Sequence, residues 1–408
     1  MVQCQLDGIA TLRTIKSIKN TLQELPRGLN EIYENILKQI SKTDVEVVRR
    51  ILLWLSFTVL PLTLKELHTA AAVEPGLDEL DDEACLSSSE DILYMCGSLV
   101  SVSEQGHIRL AHLSVLDYLL SSEIRQINSD SAFALTPLEA NHELALNCLT
   151  YLSFSDFGSG PSPSSDDYAD RLARRLLLKH AATAWPYYVR ASNSSLHLEE
   201  LILKFFSPQC REIFMSWVQV LNADFNFKWD LYPRHATSLY YASSFGLTKI
   251  VDALVREGSI LNAPGSRFGG TALHGAVFRY HISVMEILVK AGADPSQADF
   301  NRVTPLHTAA TLGNIKAMEM LLSYGASKEA VDQGGETPYD WAVKAGQSES
   351  QRLLLGLADG ASDEVREKEV QGVWQRPALY FPDFYGGRSG LESSIIVQVV
   401  LGTNIQVL

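Results

Sequence analysis

One six-residue phrase recurs four times between residues 237 and 342. It reads Thr237-Ser238-Leu239-Tyr240-Tyr241-Ala242, then Thr271-Ala272-Leu273-His274-Gly275-Ala276, then Thr304-Pro305-Leu306-His307-Thr308-Ala309, and last Thr337-Pro338-Tyr339-Asp340-Trp341-Ala342. The copies stand 34, 33 and 33 residues apart. A fixed period of that size means one supersecondary unit stacked on copies of itself, which confines this half of the chain to a quasi-one-dimensional array. Within each unit the threonine caps a helix, and Pro305 and Pro338 pre-set φ in its first turn. Ala242, Ala276, Ala309 and Ala342 are small where two helices must approach closely. A second apolar stripe follows each copy (Ile250, Val251, Leu254; Val284, Met285, Leu288; Ala317, Met318, Leu321; Leu353 to Leu355). Gly258, Gly292 and Gly325 each fall 16 residues after the alanine, where a helix must end in a left-handed turn.

Each unit resembles an ankyrin repeat, and residues 233–358 are read as four of them. The resemblance implies a partner surface on the concave face, built from hairpin tips and first helices. Carried over by register, that face comprises Arg234, Phe245, Arg267, Phe268, Phe278, Arg279, Phe300, Asn301, Leu312, Gln333 and Lys344. Aromatic residues and arginine dominate interface energetics, so these are candidate anchors. Some phenylalanines could equally fill gaps between repeats. His274 and His307 lack companion ligands and are expected to bond neighbouring backbone rather than a metal. Two departures stand out: Tyr280 takes the place of Gly246, Gly313 and Gly346, and Arg302 that of Gly269 and Gly335. The array needs covers for its apolar ends. Phe205, Phe206, Ile213, Phe214 and Trp217 are expected to cover the first repeat, and the polar helix after Gln347 the last.

Ahead of the array, residues 29–122 follow another pattern. Leu29, Ile32, Tyr33, Ile36, Leu37 and Ile40 keep helical spacing. A second helix is predicted over 45–57 behind Asp44 as N-cap, and a third over 64–73 behind Thr63, with Glu66 completing a weaker capping box. A short helix over 89–96 precedes two strand-like runs, 99–103 and 107–110, joined by Glu104-Gln105-Gly106. Three helices, a further short helix and a hairpin make the order of a winged helix. Cys4-Gln5-Leu6-Asp7, Leu25-Pro26 with Tyr33 and Ile36-Leu37, Pro61-Leu62-Thr63, and His112 to Leu119 together resemble the segment behind the nucleotide-binding module of fungal NACHT–ankyrin proteins, which are similar to innate-immunity receptors. That segment is often labelled a GPI inositol-deacylase-type winged helix.

The label does not make an enzyme. The nucleophile elbow Gly-x-Ser-x-Gly occurs nowhere in the chain. His112, Ser114 and Asp117 hold triad residue types, but a triad needs side chains converging from separate elements. Cys85, Cys96, His107 and His112 lack any zinc-type Cys pair. A DNA-reading role for the winged helix is the alternative. The expected recognition helix carries Glu90 and Asp91 and no cation, which disfavours it.

Between the two regions, residues 130–225 read as a helical connector. Thr136-Pro137 starts a helix, residues 153–167 are a Ser/Gly/Pro-rich loop or hinge, and helices resume over 167–180 and 195–220. Arg171, Arg174, Arg175 and Lys179 form the densest basic cluster, read as a solvated face rather than a site for an acidic or phosphorylated partner. Trp185-Pro186-Tyr187-Tyr188 is read as packing. Residues 1–28 are a helical remnant or linker, and 359–408 an unassigned tail.

The 34 basic and 48 acidic residues give a net charge of −14, which repels phosphate backbones. Five scattered cysteines make no disulfide framework and suit a reducing compartment. No apolar leader or membrane-length run is present, so a cytoplasmic location is expected. The chain has no phosphate-cradling Gly-x-x-x-x-Gly-Lys-Ser/Thr. The expectation is therefore a mainly α protein: winged helix, helical connector and ankyrin α-solenoid. It should act without enzymatic activity, cofactor or small-molecule substrate, binding a protein partner as a scaffold or sensor. The resemblance implies kinship with receptor-like signalling proteins that have lost, or act beside, their NTPase.

Overall fold

The computed structural model describes residues 28–80, 85–126, 131–193, 195–223 and 229–356. The motifs at Cys4–Asp7 and Leu25–Pro26, most of the expected N-terminal remnant and all of the tail therefore lie outside the described residues. The chain divides into two compact units, one of residues 1–158 and 166–194, the other of 159–165 and 195–408. The stretch 130–225, read as one connector, is shared between them.

The first unit begins with α1 (Leu29–Lys38), whose Ile32, Tyr33 and Leu37 are buried. Helix α2 (Val45–Phe57) buries Val48 and every residue from Ile51 to Leu55. Asp44 precedes it but makes no side-chain cap, because its carboxylate instead accepts from the Thr43 hydroxyl at 2.9 Å. Thr63 starts α3 (Leu64–Ala72) with a complete capping box: Glu66 N–H donates to the threonine oxygen at 3.3 Å and the Glu66 carboxylate accepts from Thr63 N–H at 2.7 Å. Reciprocal satisfaction of two end donors makes the box stronger than its sequence suggested. Helix α4 spans Asp91–Cys96, two residues shorter than expected, because Ser88 N–H and the Asp91 carboxylate close a turn at 2.9 Å ahead of it.

Leu62–Thr63 (β1), Val100–Val102 (β2) and His107–Leu110 (β3) form one antiparallel sheet in the order β1-β3-β2. The hairpin register pairs Val100 with Leu110 and Val102 with Ile108, and Gly106 turns it at φ +80°. The third strand, β1, was expected only as a helix breaker; two residues are too short to show a period-2 pattern. Helices α5 (Leu113–Leu120) and α6 (Ser122–Gln126) complete the winged helix.

Helix α7 (Pro137–Leu152), with Thr136 as its cap, packs on α9 (Leu178–Ala191). Two boundaries differ from expectation. Helix α8 (Ser165–Arg174) stops before the leucine run, and α9 runs on through a buried Pro186. Within residues 153–167, a short 3-10 helix, Ser155–Ser159, sinks Phe157, and Phe154 is fully buried beside Tyr151 at 5.1 Å. Arg175 pairs with Asp156 at 2.8 Å and lies over Phe154, and Arg171 lies over Phe157. Half of the basic cluster is thus used to clamp this segment. Trp54, His180 and Tyr188 meet in the core, with ring centroids 5.4 Å apart for Trp54 and His180. Tyr188 lies within hydrogen-bonding distance of His180 Nε2 (3.1 Å) and accepts from Val59 N–H (3.3 Å). Trp185, Pro186 and Tyr188 are packing, as expected, while Tyr187 is exposed.

The second unit starts with a helical cap. The single helix expected over 195–220 is two, α10 (Leu196–Phe205) and α11 (Arg211–Asn222), separated at Pro208, which cannot continue a helix past its first turn. Four helix pairs follow: α12 (Ser238–Ser244) with α13 (Thr248–Arg256), α14 (Ala272–Phe278) with α15 (Ile282–Lys290), α16 (Pro305–Leu312) with α17 (Ile315–Ser323), and α18 (Pro338–Lys344) with α19 (Ser348–Leu354). The four alanines of the repeated phrase have no exposed surface. Phe214 and Trp217 of the cap lie 5.8 and 5.1 Å from Tyr241, sealing the first repeat as expected.

Candidate functional site: the finger row and inner helices of the repeats

Three consecutive hairpin tips, or fingers, are built the same way. The residue five positions before each repeat threonine turns its side chain inward and accepts the backbone N–H four residues on: Ser266 from Gly270 (2.7 Å), Asp299 from Val303 (2.8 Å), Asp332 from Glu336 (2.9 Å). Sequence reasoning missed this position, although its spacing of 33 residues was readable. Burial pushes the Asp299 carboxyl up to about 6, against the pull of its two backbone donors.

The histidines link one repeat to the next. Thr271 N–H donates to His274 Nδ1 at 3.1 Å, and His274 Nε2–H donates to the Val303 carbonyl of the following repeat at 3.0 Å. His307 does the same with Thr304 and Glu336, at 3.1 and 3.0 Å. Burial drives the His274 imidazole down to about 4 and lowers His307 too, so both are neutral donors near neutrality. Neighbouring fingers are stitched by Phe300 N–H to the Phe268 carbonyl (2.9 Å), Gln333 N–H to the Asn301 carbonyl (3.0 Å) and His235 Nε2–H to the Ser266 carbonyl (2.8 Å).

On this frame the residues carried over by register take different positions. Phe300 is 57% exposed, its ring covering Gly269 and 5.4 Å from His235. Phe268 is half-buried with the Arg267 guanidinium above it at 5.3 Å, and Arg279 lies likewise over Phe278 at 5.7 Å. Arg234 is exposed and stacks on Tyr232 at 3.7 Å. Phe245 belongs to the cap packing, 5.9 Å from Trp217, which places it among the gap-fillers. Leu312 is half-buried and offers its carbonyl to Tyr280; Gln333 Nε2 donates to the Phe300 carbonyl at 2.8 Å; Lys344 pairs with Glu336. Asn301 holds its tip by donating N–H to Asp299 at 2.9 Å.

The cap reaches this surface through Arg211, another residue not singled out beforehand. Its guanidinium donates to the carbonyls of Ala236 (2.8 Å) and Arg234 (3.4 Å), fixing the first finger. Gln219, with no exposed surface, is bidentate on Ser162: it accepts from the backbone N–H at 2.8 Å and donates to the carbonyl at 3.0 Å.

In the first unit, His112 Nδ1 accepts from Ser114 N–H at 3.1 Å as the N-cap of α5, and the Ser114 hydroxyl lies 2.7 Å from that nitrogen and 2.8 Å from the Tyr33 hydroxyl. The imidazole's acceptor nitrogen is thus occupied by a helix end. Helix α4 follows Glu90 and carries Asp91 and a Tyr94 that is 89% exposed. Among the described residues no group of His, Cys, Asp and Glu could hold a metal ion, and no helix is long and apolar enough to cross a membrane.

Family models agree with the two folds. Residues 34–136 match the GPI inositol-deacylase winged helix domain, 268–300 an ankyrin repeat and 292–366 a model of three ankyrin repeats. The chain is thus mainly α, a winged helix domain followed by ankyrin repeats. It is 30% identical over 308 residues to the azaphilone pigments biosynthesis cluster protein L of Monascus ruber, an alignment covering 70% of this chain and 63% of that protein. It is also 35% identical over 102 residues to the vegetative incompatibility protein HET-E-1 of Podospora anserina, across 25% of this chain and 7% of that relative. The chain thus spans less than two thirds of either relative.

Proposed function

We propose that this chain is a non-enzymatic scaffold or sensor that holds a protein partner against the finger row and inner helices of its ankyrin repeats. The observation that carries the reading is the contrast within one face. Phe300 stays 57% exposed on a finger whose backbone is pinned to both neighbours, so a large apolar side chain is presented on a rigid support. The ankyrin repeats themselves support protein binding, and the likeness to a vegetative incompatibility protein supports kinship with receptor-like signalling proteins. A cytoplasmic setting suits the scattered cysteines and the acidic charge.

A catalytic role finds no support in the His112–Ser114 pair, which serves a helix end. The acidic α4 segment offers nothing to a phosphate backbone. Affinity capture comparing the wild-type chain with Phe268→Ala plus Phe300→Ala tests the reading. Loss of specific partners in the double variant is expected; an unchanged partner set means that the face is misassigned.

A further inference from the structure

In a protein of net charge −14, the finger row uses its carboxylates and its guanidiniums differently. Four of its carboxylates are engaged within the array. Asp299 accepts from Asn301 and Val303 N–H, Asp332 from Glu336 N–H and from Trp341 Nε1–H at 3.1 Å, Asp340 holds Thr337 N–H, and Glu336 pairs with Lys344. Arg234 and Arg302 are exposed and enter no ion pair among the described residues, and the half-buried Arg267 guanidinium lies over the Phe268 ring at 5.3 Å.

Arg302 carries a second signal. It sits at φ +62°, in the left-handed region, where the corresponding positions of the flanking fingers are Gly269 and Gly335 at +82° and +78°. A non-glycine residue held there is strained, and such strain persists where a side chain is needed more than a relaxed turn. The residue retained is a cation at the tip of the finger that exposes Phe300.

We propose that the finger row from Arg234 to Arg302 is a receptor for an acidic peptide segment of a partner protein. Its carboxylates meet Arg234 and Arg302, and one apolar side chain covers Phe300. This rests on the partner-binding reading of the same face and specifies the partner's chemistry. Arginine is the suited cation, since its planar fork meets carboxylates in pairs while its face stacks on Phe268 and Tyr232. The chain's remaining acidic surface repels such a segment from other places, which favours register.

The experiment uses the full chain and fluorescein-labelled peptides of equal length with leucine at every fourth position, the intervening residues being Asp/Glu, Ser/Gln or Lys/Arg, together with a labelled single-stranded DNA. The acidic peptide is expected to bind tightest and to weaken as salt rises. Arg302→Gly, which also relaxes the turn and so keeps the fold, should weaken it by roughly three- to tenfold, and Arg234→Gln likewise. Equal binding of the acidic and neutral peptides overturns the proposal, as does preferential binding of the DNA. Sedimentation showing self-association that Arg302→Gly abolishes overturns it in favour of a second copy as occupant. If the peptides are not distinguished while capture still depends on Phe268 and Phe300, the acidic assignment falls and the partner face stands. If neither holds, both fall.

Discussion

The Tyr280 hydroxyl donates to the Leu312 carbonyl at 2.7 Å, joining the inter-helix turn of the second repeat to the end of the first helix of the third. Tyr280 does so from φ +59°, where the other three repeats have glycine. The left-handed conformation costs a non-glycine residue about 1 to 2 kcal/mol, and the hydrogen bond with the ring's burial offsets it. Tyr280→Phe should lower stability by about 1 kcal/mol, the net value of one hydrogen bond. Tyr280→Ala should cost more than Tyr280→Gly, since alanine keeps the strain and loses the bond. Urea midpoints of the three variants check this, and an alanine variant as stable as the glycine one contradicts it.

The repeats should lose stability in mild acid. His274 is pushed down to about 4 and His307 lowered, so the unfolded chain binds protons that the folded array refuses. Their contribution is complete above about pH 6.5 and is lost as pH falls toward 4, on the order of 3 kcal/mol for His274. His274→Gln should flatten the urea midpoint's dependence on pH across that window, though it lowers stability at pH 7.

Asp299 works in the opposite direction over part of the same window. With its folded value raised to about 6 from 3.8, the folded state holds this proton more tightly than the unfolded chain does. Its effect is therefore a loss of stability as pH climbs from about 4 to 6, persisting above. Asp299→Asn keeps an oxygen for Asn301 and Val303 N–H and removes the buried charge. It should be neutral or stabilising at pH 7 and steepen the acid loss. A destabilised Asn variant at neutral pH shows that the carboxylate is needed in charged form.

Gln219 pins Ser162 with two buried hydrogen bonds, and Gln219→Leu fills the same space without replacing either. Orphaning a buried N–H and C=O should cost about 2 to 5 kcal/mol, well beyond a surface substitution. Thermal unfolding followed by far-UV circular dichroism measures it.

What could be read from sequence divides along a physical line. The repeats were legible because each position is stated several times, so Thr271, His274 and Gly292 interpret one another. The capping box at Thr63 and Glu66 was legible because its chemistry is local. Long-range events were not: β1 is two residues long and owes its existence to β3, and the break after Arg174 is decided by where Phe154 and Phe157 sink and by Arg175 reaching Asp156. On the candidate surface the register placed Phe300 at a tip, yet only packing separates it from Phe245, which faces Trp217.

That separation yields a sharper test of Phe300 than removing it. A Cβ at Gly269 would stand 2.5 Å from the Phe300 ring, whereas at Gly335 nothing lies within 4 Å. Both glycines are left-handed, at +82° and +78°, so alanine strains the two turns about equally, by roughly 1 to 2 kcal/mol. Gly269→Ala must in addition push the ring from its seat beside His235, while Gly335→Ala leaves it in place. If the seated ring is the partner's anchor, Gly269→Ala should lose affinity by about tenfold or more while Gly335→Ala binds nearly as the wild type does, at matched loss of stability. Equal binding by the two variants would falsify the role of Phe300 without reference to any other residue of the face.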